Sequence, residues 1–457
     1  MSLTLDEAIY NKYVLPTERP AGRHVGPEFE FPIVNLGKKP VDIDSAQEVV
    51  SAFADSFGFS ERKADDDGRL YSLTDPVTGD NLSFDCSYNT LELSFGKEEN
   101  INVLSDRFGR YFHFIQHGLR KSGQLITGLG ANPYHRYNTY EPITNDRYRM
   151  LKKFLDSYRE YDGAVFHDIP QFSMIAAASQ VQIDVNKDEL IRTINTFNRI
   201  EPLKALLFAN SAFDGLPELA ISRDYFWKYS SQGYNKHNVD MFDADLSSVD
   251  EYIEYVKGQS IYCGEHEGKY VHFRPIPLRE YVALPEVTGR YYEDGGWHEL
   301  SFRPDVTDIE YHRTFKFVDL TFRGTIEYRS GCEQPISEVF SLSAFHAGLA
   351  EKTGDLYDII YSDDVIYRHG YSPNELREIF THRELPQFAD RKALSALLYR
   401  ILDLAASGLA ERGLGEEHFL RPLYYRAEHL TNPALELLRG LELGDSIEEW
   451  IEKYSAL

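Results

Sequence analysis

Apolar and polar side chains alternate along residues 317–329, FVDLTFRGTIEYR, and this period of two predicts a β-strand. The apolar face would consist of Val318, Leu320, Phe322, Gly324, Ile326 and Tyr328. The opposite face would carry Phe317, Asp319, Thr321, Arg323, Thr325, Glu327 and Arg329. Polar residues on a half-buried strand usually contact water, so the alternation alone does not indicate a binding site. Two further segments, however, also place carboxylates along one face of a predicted strand.

The first of these segments is GPEFEFPI, residues 26–33. Glu28 and Glu30 lie two positions apart, so both side chains point to one face of a strand. Phe29 and Phe31 would point to the other face, which is suited to a core.

The second segment, LSFDCSYNTLELSF at residues 82–95, predicts a β-hairpin. Two short strands, 82–84 and 91–95, would be joined through Ser87, Tyr88 and Asn89. If the strands pair around that turn, Asp85 and Glu92 come nearly opposite one another and can share a face.

Convergence of these acidic residues would require a cation. Two like charges about 4 Å apart repel by roughly 4 kcal/mol at an effective dielectric constant of about 20. Hard divalent cations take oxygen ligands, and Mg²⁺ held between carboxylates and substrate phosphates is a common arrangement. The candidate metal ligands are Glu28, Glu30, Asp85, Glu92 and Glu327. The alternative is that they are solvated residues of an acidic protein.

Composition narrows the possible partners and the compartment. The 457 residues include 48 Lys and Arg against 73 Asp and Glu, a formal charge of −25, which disfavours nucleic acids and anionic membranes. No apolar run approaches the ~20 residues that span a bilayer, and the N-terminus does not resemble a signal peptide. Three cysteines do not favour a disulfide framework and indicate a reducing compartment. We therefore predict a cytoplasmic protein that acts on small molecules, and its oligomeric state stays open.

Helical spacing and strand patterns predict one large α+β unit over residues 1–457, because no linker or repeat divides the chain. Residues 376–457 form a mainly helical C-terminal region in this prediction. The predicted helices cover 45–57, capped by Ser45, and 102–119, 147–158, 187–210 and 391–409, with another beginning at Pro433. A strand is predicted for 176–185, with Gln180, Gln182 and Asp184 on one face.

These motifs together resemble the glutamate–cysteine ligases, most closely the plant-type and actinobacterial branch. GPEFEF resembles their E-x-E strand, and the seven-residue step from Asp85 to Glu92 resembles their second acidic motif. IEYR at 326–329 resembles a late strand that carries a metal-binding Glu and an Arg. PLKALLFANSAFDG at 202–215, SRDYFW at 222–227 and SGLAERGLGEEHFLRPL at 407–423 resemble further segments of that branch. The resemblance therefore runs along nearly the whole chain.

The resemblance implies a curved, mostly antiparallel sheet that forms a funnel-like active site, surrounded by helices and related to glutamine synthetase. It also implies an ATP- and Mg²⁺-dependent ligase. Such an enzyme phosphorylates the γ-carboxylate of L-glutamate and couples it to the amine of L-cysteine, giving γ-glutamylcysteine. Glu327 and Arg329 would act in catalysis, and Arg329 would stabilise the transferred phosphoryl group. Arg323, on the same predicted strand face as Glu327, would bind a further substrate oxygen.

Two positions are assigned by the same resemblance, each with a structural alternative. Gln182 would donate to a phosphate or lend its oxygen to a metal, or else be satisfied within the sheet. Arg223 would bind a substrate carboxylate or phosphate, or else lie on the surface next to a helix capped by Ser222.

Two departures from the family pattern leave the acceptor open. SGCEQP follows IEYR, and KYSSQGYNKHN follows the motif Trp. A γ-glutamyl ligase with another amine acceptor is therefore an alternative, and a non-catalytic, ligand-binding relative is a further one.

Overall fold

The computed structural model describes residues 3–161, 166–169 and 171–457. Its strands, in chain order, are β1 (Val25–Asn35), β2 (Glu61–Ala64), β3 (Leu70–Thr74), β4 (Asn81–Phe84), β5 (Thr90–Ser94), β6 (Gln124–Ile126), β7 (Ala178–Asp184), β8 (Val239–Asp240), β9 (Ser260–His266), β10 (Lys269–Pro277), β11 (Val287–Glu293), β12 (Gly296–Phe302), β13 (Phe315–Lys316), β14 (Val318–Leu320) and β15 (Thr325–Cys332).

The α-helices surround these strands and dominate the end of the chain. They are α1 (Leu5–Ile9), α2 (Ile43–Phe57), α3 (Ile101–Arg120), α4 (Asp146–Asp156), α5 (Lys187–Phe208), α6 (Ser222–Lys228), α7 (Val249–Gly258), α8 (Leu278–Tyr281), α9 (Ser341–Ala350), α10 (Thr353–Tyr361), α11 (Pro373–Phe380), α12 (Arg391–Arg412), α13 (Arg421–His429), α14 (Pro433–Leu443) and α15 (Ile447–Tyr454).

A large antiparallel sheet lies at the centre of the molecule. Its strand order within the described residues is β14-β15-β7-β1-β5-β4-β3-β2, and β6 pairs with the far end of β1. A smaller antiparallel sheet has the order β12-β11-β10-β9, and β8 and β13 form a short parallel pair. The prediction of a mainly antiparallel sheet with surrounding helices and a helical C-terminal region is confirmed.

Residues 317–329 do not form one strand, so that part of the prediction is wrong. β14 and β15 pair as a hairpin, with Asp319 opposite Glu327. The chain reverses between Thr321 and Thr325, where Gly324 has a φ of 75° that favours glycine. The alternating pattern survives the turn because both strands bury their apolar face against the same core.

The predicted helices are present with shifted ends. α2 begins at Ile43 rather than Ser45, because the Asp42 side chain accepts the backbone N–H of Ser45 and caps the helix. α3 is capped by Asn100 and α14 by Asn432, which places Pro433 at the first helical position. Ser222 does not cap α6. It is the first residue of the helix, and its hydroxyl donates to the carbonyl of Ser211.

A continuous hydrophobic core lies between the sheet and the helices. Phe29 and Phe31 of β1 are fully buried and contact Phe108 of α3. On the same side, α9 and α12 cross so closely that a Cβ atom on Gly348 or Gly408 would overlap the partner helix backbone. The apolar face of β1 is thus covered by helices, and its polar face is left for a site.

Within the described residues, one helix, α12, is long and apolar enough to cross a membrane by length and composition. Arg400 and Asp403 interrupt the apolar sequence of α12, so the prediction that no unbroken apolar run approaches that length is not contradicted. Its apolar side chains Leu394, Leu398, Ile401 and Leu402 are nevertheless almost completely buried in the core. Packing inside the protein accounts for its composition.

Candidate active site

The polar face of the central sheet gathers the predicted residues of β1, β7 and β15. Gln182 of β7 lies directly opposite Glu327 of β15. Its side-chain amide donates to Glu28 Oε1 at 2.8 Å and to Glu327 Oε1 at 3.3 Å. Thr325 donates to its oxygen at 3.0 Å. Gln182 therefore bridges the two carboxylates, and it is satisfied by side chains of the site rather than by backbone.

A second group of carboxylates lies beside the first. Glu30 of β1 pairs with Glu92 of β5, and Asp85 follows the end of β4. One oxygen from each of Glu30, Asp85 and Glu92 lies within 4.8 Å of the others, as the ligands of one metal ion would. The predicted hairpin and its shared acidic face are confirmed in geometry.

Backbone and amide donors hold Glu30 in place. Its Oε2 accepts the N–H of Ala178 at 2.8 Å, and its Oε1 accepts the side-chain amide of Gln180 at 3.0 Å. The backbone N–H of Glu30 donates to Glu333, a fully buried carboxylate just beyond β15, at 3.0 Å. Glu333 is a residue that the sequence analysis missed, because it lies within the segment that departs from the family pattern.

The acidic groups raise one another's affinity for protons. Burial raises the pKa of Glu30 to about 8, with the charge of Asp85 adding to the effect. Burial likewise raises the pKa of Glu92 to about 7, again reinforced by Asp85. The pKa of Glu28 is raised well above its usual range by burial and then by the charges of Glu327 and Glu92. Without a cation, these groups cannot all be ionised at neutral pH.

The raised pKa values predict a stability that depends on pH and on divalent cations. Such a carboxyl contributes stability that is fully present below pH ~4.5 and is lost as the pH rises through about 7 for Glu92 and about 8 for Glu30. In EDTA, the free energy of unfolding should fall by at least about 2 kcal/mol between about pH 5 and about pH 8, and Mg²⁺ should reverse that loss at about pH 8. Denaturant unfolding measures both effects.

Two variants separate the contribution of the clustered carboxyl groups from that of the other groups that titrate between about pH 5 and about pH 8. In EDTA, the free energy of unfolding of Glu92→Gln should fall less with rising pH than that of the wild type, because the variant lacks one carboxyl with a raised pKa. Glu48→Gln, at an exposed position of α2, should decline like the wild type. An equal decline in all three proteins would contradict the assignment.

Arg329 lies on the same face as the carboxylates. Its guanidinium donates to Glu327 Oε2 at 2.5 Å and lies 5.3 Å from the ring centre of Phe315. Burial alone would lower the pKa of Arg329, but the charges of Glu327 and Asp319 outweigh it and raise the pKa. Trp227 stacks on the other side chain of this pair, Phe315, with the two ring centres 4.1 Å apart, so it packs against the residue that Arg329 contacts.

Arg223 is buried at the start of α6, so the alternative of a surface arginine is wrong. Only 6% of its surface is exposed. Burial lowers the pKa of Arg223, and the charge of Glu30 opposes that shift most strongly. The charge of Arg223 therefore acts on Glu30, one of the three clustered carboxylates.

Arg377 of α11 bridges the residues that follow Arg223 and Arg329 in the chain. Its guanidinium contacts both oxygens of Asp224, at 2.8 and 3.3 Å, and the carbonyl of Ser330 at 3.2 Å. Since Asp224 follows Arg223 and Ser330 follows Arg329, one buried residue holds both neighbours in register. No local sequence pattern predicts this contact.

Arg323 does not share a strand face with Glu327, so the geometry on which its assignment to a substrate oxygen was based is wrong. It lies exposed in the turn between β14 and β15, and its carbonyl accepts a hydrogen bond from Arg19 at 2.8 Å. It still lines the central cavity, at the turn rather than beside Glu327.

The central cavity, about 1130 Å³ in volume, opens over this face of the sheet. Predicted residues that line it are Glu28, Glu92, Gln182, Arg323, Glu327 and Arg329. Glu30, Asp85 and Arg223 are not among its lining residues. The sequence analysis missed Asp319, Arg147 and Arg313 as site residues, although all three line the cavity.

Comparison with known proteins places this arrangement in a family. A model of glutamate–cysteine ligase family 2 matches residues 24–448. Chloroplastic glutamate–cysteine ligases of Brassica juncea and Arabidopsis thaliana are both 22% identical to the chain. The alignments cover 92% and 93% of this chain and 78% and 77% of those proteins. The ligase of Medicago truncatula is 23% identical, over 76% of this chain and 65% of its own length.

A solved structure is also similar. It is the crystal structure of a glutamate–cysteine ligase from Francisella tularensis in complex with AMP, with a TM-score of 0.52 and 11% identity. The match covers 94% of this chain and 88% of that one. At this identity the similarity shows a common fold.

Proposed function

The chain belongs to glutamate–cysteine ligase family 2, and on that premise we propose that it is an ATP- and Mg²⁺-dependent ligase that makes γ-glutamylcysteine. In this proposal, the γ-carboxylate of L-glutamate attacks the γ-phosphorus of ATP, giving γ-glutamyl phosphate and ADP. The amine of L-cysteine then attacks the acyl carbon, loses a proton and expels phosphate. A carboxylate is a poor electrophile, so its phosphorylation provides the leaving group.

The observation that carries the proposal is the double carboxylate group on one sheet face, with Arg329 beside it. Glu30, Asp85 and Glu92 offer a compact set of hard oxygen ligands, and Glu28 and Glu327 offer a second set around Gln182. These donors fit Mg²⁺, which when bound would neutralise the phosphates and the substrate carboxylate. Five carboxylates packed this closely have no evident structural purpose, because their mutual repulsion destabilises the fold.

The arginines and the amide perform the remaining tasks in this proposal. Arg329 stabilises the charge on the migrating phosphoryl group, since its guanidinium lies next to Glu327. Arg223 binds a carboxylate of glutamate close to Glu30, and Gln182 fixes the orientation of Glu28. Arg323 binds a phosphate or ribose oxygen at the turn.

A different amine acceptor is the second candidate, and one observation favours it. The segment after α6 and the segment after Arg329 both depart from the family pattern. A non-catalytic role has less support, because the acidic residues and Arg329 are all present and meet on one face.

We further propose that residues 1–457 work as one catalytic domain, with 376–457 as its helical end. A cytoplasmic location stays a prediction, since the plant relatives carry the description chloroplastic. The acidic sheet face and the charge of −25 support small-molecule substrates over nucleic acid.

The proposal is tested by ADP release from purified protein supplied with Mg-ATP and L-glutamate. Each common amino acid and several simple amines are added in turn, and the products are identified by mass spectrometry. Stimulation chiefly by L-cysteine, with γ-glutamylcysteine formed, is the expected result. If another amine stimulates ADP release most strongly, that amine is the acceptor in place of cysteine. Absence of ADP release across the panel, with Mg-ATP bound, would contradict a ligase function.

A further inference from the structure

Arg377 of α11 is a buried arginine in which every N–H group of the guanidinium has an acceptor. Only 4% of its surface is exposed. Its Nε and Nη2 donate to the two oxygens of Asp224 at 2.8 and 3.3 Å, and Nη2 also donates to the carbonyl of Ser330 at 3.2 Å. Its Nη1 donates to the carbonyl and to a side-chain oxygen of Glu201, at 2.8 and 3.3 Å. A planar fork of donors is thus used completely, which lysine could not reproduce.

The contact with Ser330 lies at a β-bulge. Where β15 pairs with β7, Arg329 and Ser330 together stand opposite the single residue Gln180. A bulge re-aims a side chain and leaves the extra residue outside the regular ladder. The carbonyl of Ser330 accepts a hydrogen bond from Arg377. The bulge that aims Arg329 is therefore held by a helix outside the sheet.

Arg377 also packs against the strand on the other side of Arg329. The backbone N–H of Arg329 donates to the carbonyl of Phe317 at 3.0 Å. The guanidinium of Arg377 lies 5.0 Å from the ring centre of Phe317, whose side chain is buried. Arg377 thus contacts both the residue that follows Arg329 and the residue that accepts its backbone N–H.

The contact with Asp224 acts on Arg223 in the same way. Arg223 and Asp224 are neighbours in the first turn of α6. Because Arg377 binds both oxygens of Asp224, it fixes the rotation of this short helix about its axis. The direction in which Arg223 points follows from that rotation.

The two arginines that Arg377 connects in this way repel each other. Burial lowers the pKa of Arg223, and the charge of Arg329 lowers it further. Two like charges that act on one site stay close only when the segments that carry them are held. Arg377 provides that restraint, because it contacts the residue next to each of them.

Stability alone does not explain why the charges around Arg377 are buried. Lys204 of α5 contacts Glu201 Oε1 at 2.7 Å, with 1% and 0% of the two side chains exposed. Together with Arg377 and Asp224 they form a buried group of two cations and two anions. The cost of removing such charges from water offsets their mutual attraction, so buried ion pairs add little net stability. The positions that the group fixes explain it better.

We propose that Arg377 is a positioning residue of the reaction, which sets the spacing between the guanidinium groups of Arg223 and Arg329 by holding Asp224 and the bulge at Ser330 in one fork. This inference rests on the proposed function, which assigns glutamate binding to Arg223 and phosphoryl transfer to Arg329. Within the described residues, Arg377 is not part of the lining of the central cavity, so it acts through these arginines and not on a substrate.

A double-mutant cycle separates positioning from a purely structural role. Arg377→Lys keeps the charge but not the fork, and it is made alone and together with Arg329→Met. Arg412→Lys is the matched control, since Arg412 is a buried arginine that contacts Glu416 at 2.7 Å and the carbonyl of Arg23 at 3.1 Å. The rate constant of ADP formation is measured in single turnovers, at a temperature at which thermal unfolding shows every variant to be folded.

Positioning predicts that Arg377→Lys lowers this rate constant about a hundredfold on its own and less than about threefold in the Arg329→Met background, where the positioned group is already absent. Arg412→Lys should change it less than about threefold in both backgrounds. The inference is overturned if Arg377→Lys lowers the rate constant by the same factor in both backgrounds, or leaves it at the wild-type value.

Asp224→Asn tests the hold on α6 independently, and it decides the question if Arg377→Lys does not fold. The KM for L-glutamate should rise about tenfold in Asp224→Asn and less than about threefold when the same change is made in Arg223→Met. An equal rise in both backgrounds overturns the inference.

Failure of the proposed function looks different, since the wild type would then release no ADP with any acceptor. In that case hydrogen exchange decides. Peptides that cover residues 222–228 and 325–332 should both exchange at least about tenfold faster in Arg377→Lys than in the wild type, and at the wild-type rate in Arg412→Lys. Wild-type exchange of either peptide in Arg377→Lys overturns the inference.

Discussion

Glu327→Gln is expected to lower kcat for ADP release by at least about a thousandfold, which corresponds to roughly 4 kcal/mol of lost transition-state stabilisation. Glu327 is 7% exposed, accepts the Gln182 amide at 3.3 Å and accepts the Arg329 guanidinium at 2.5 Å. The substitution keeps the shape but removes the charge. It therefore removes a candidate metal ligand and the anion that orients Arg329 in a single change.

The fold should survive this change. Relief of the repulsion between Glu327 and Glu28 should leave the melting temperature in EDTA unchanged or raised. Steady-state kinetics and thermal unfolding measured together separate loss of the site from loss of the fold. Glu299→Gln, at an exposed position of β12, is the matched control and should keep wild-type kcat. Wild-type kcat in Glu327→Gln would remove Glu327 from the site.

Arg329→Met is expected to lower kcat by about a thousandfold while changing the KM for L-glutamate less than about threefold. An arginine that stabilises the migrating phosphoryl group acts mainly in the transition state, so its loss lowers turnover rather than substrate binding. Its guanidinium also lies over the ring of Phe315, so the group is positioned by packing as well as by charge.

Arg329→Lys refines the same prediction. Lysine keeps the charge but lacks the planar fork, so we expect it to recover only part of the lost turnover. A large rise in the KM for L-glutamate with unchanged kcat would instead place Arg329 in ground-state binding. That result would contradict its assignment to the phosphoryl group.

The local patterns that predict the grouping of the carboxylates correctly are those that place acidic side chains on one face of a strand or hairpin. One predicted strand places Glu28 and Glu30 on the same face, and one predicted hairpin does the same for Asp85 and Glu92. The register of β1 with β5 and β7 then brings them together. The prediction from alternation holds for β1 because Phe29 and Phe31, on the face opposite Glu28 and Glu30, are buried in the core.

The position of Arg323 shows where such a pattern fails. Alternation continues through a short turn between two strands of one hairpin, so the pattern of residues 317–329 does not show where the chain reverses. Gly324 was the available signal, since its φ of 75° is one that other residues rarely adopt. Arg377 could not be predicted at all, because its importance depends on contacts between segments far apart in sequence.

The measurement that tests the central claim most directly follows oxygen from glutamate to phosphate. L-glutamate labelled with ¹⁸O in its γ-carboxylate is converted with Mg-ATP and the preferred acceptor, and the released phosphate is analysed by mass spectrometry. If the site phosphorylates the γ-carboxylate, one labelled oxygen appears in phosphate for each amide formed. Amide formation with unlabelled phosphate would contradict the account.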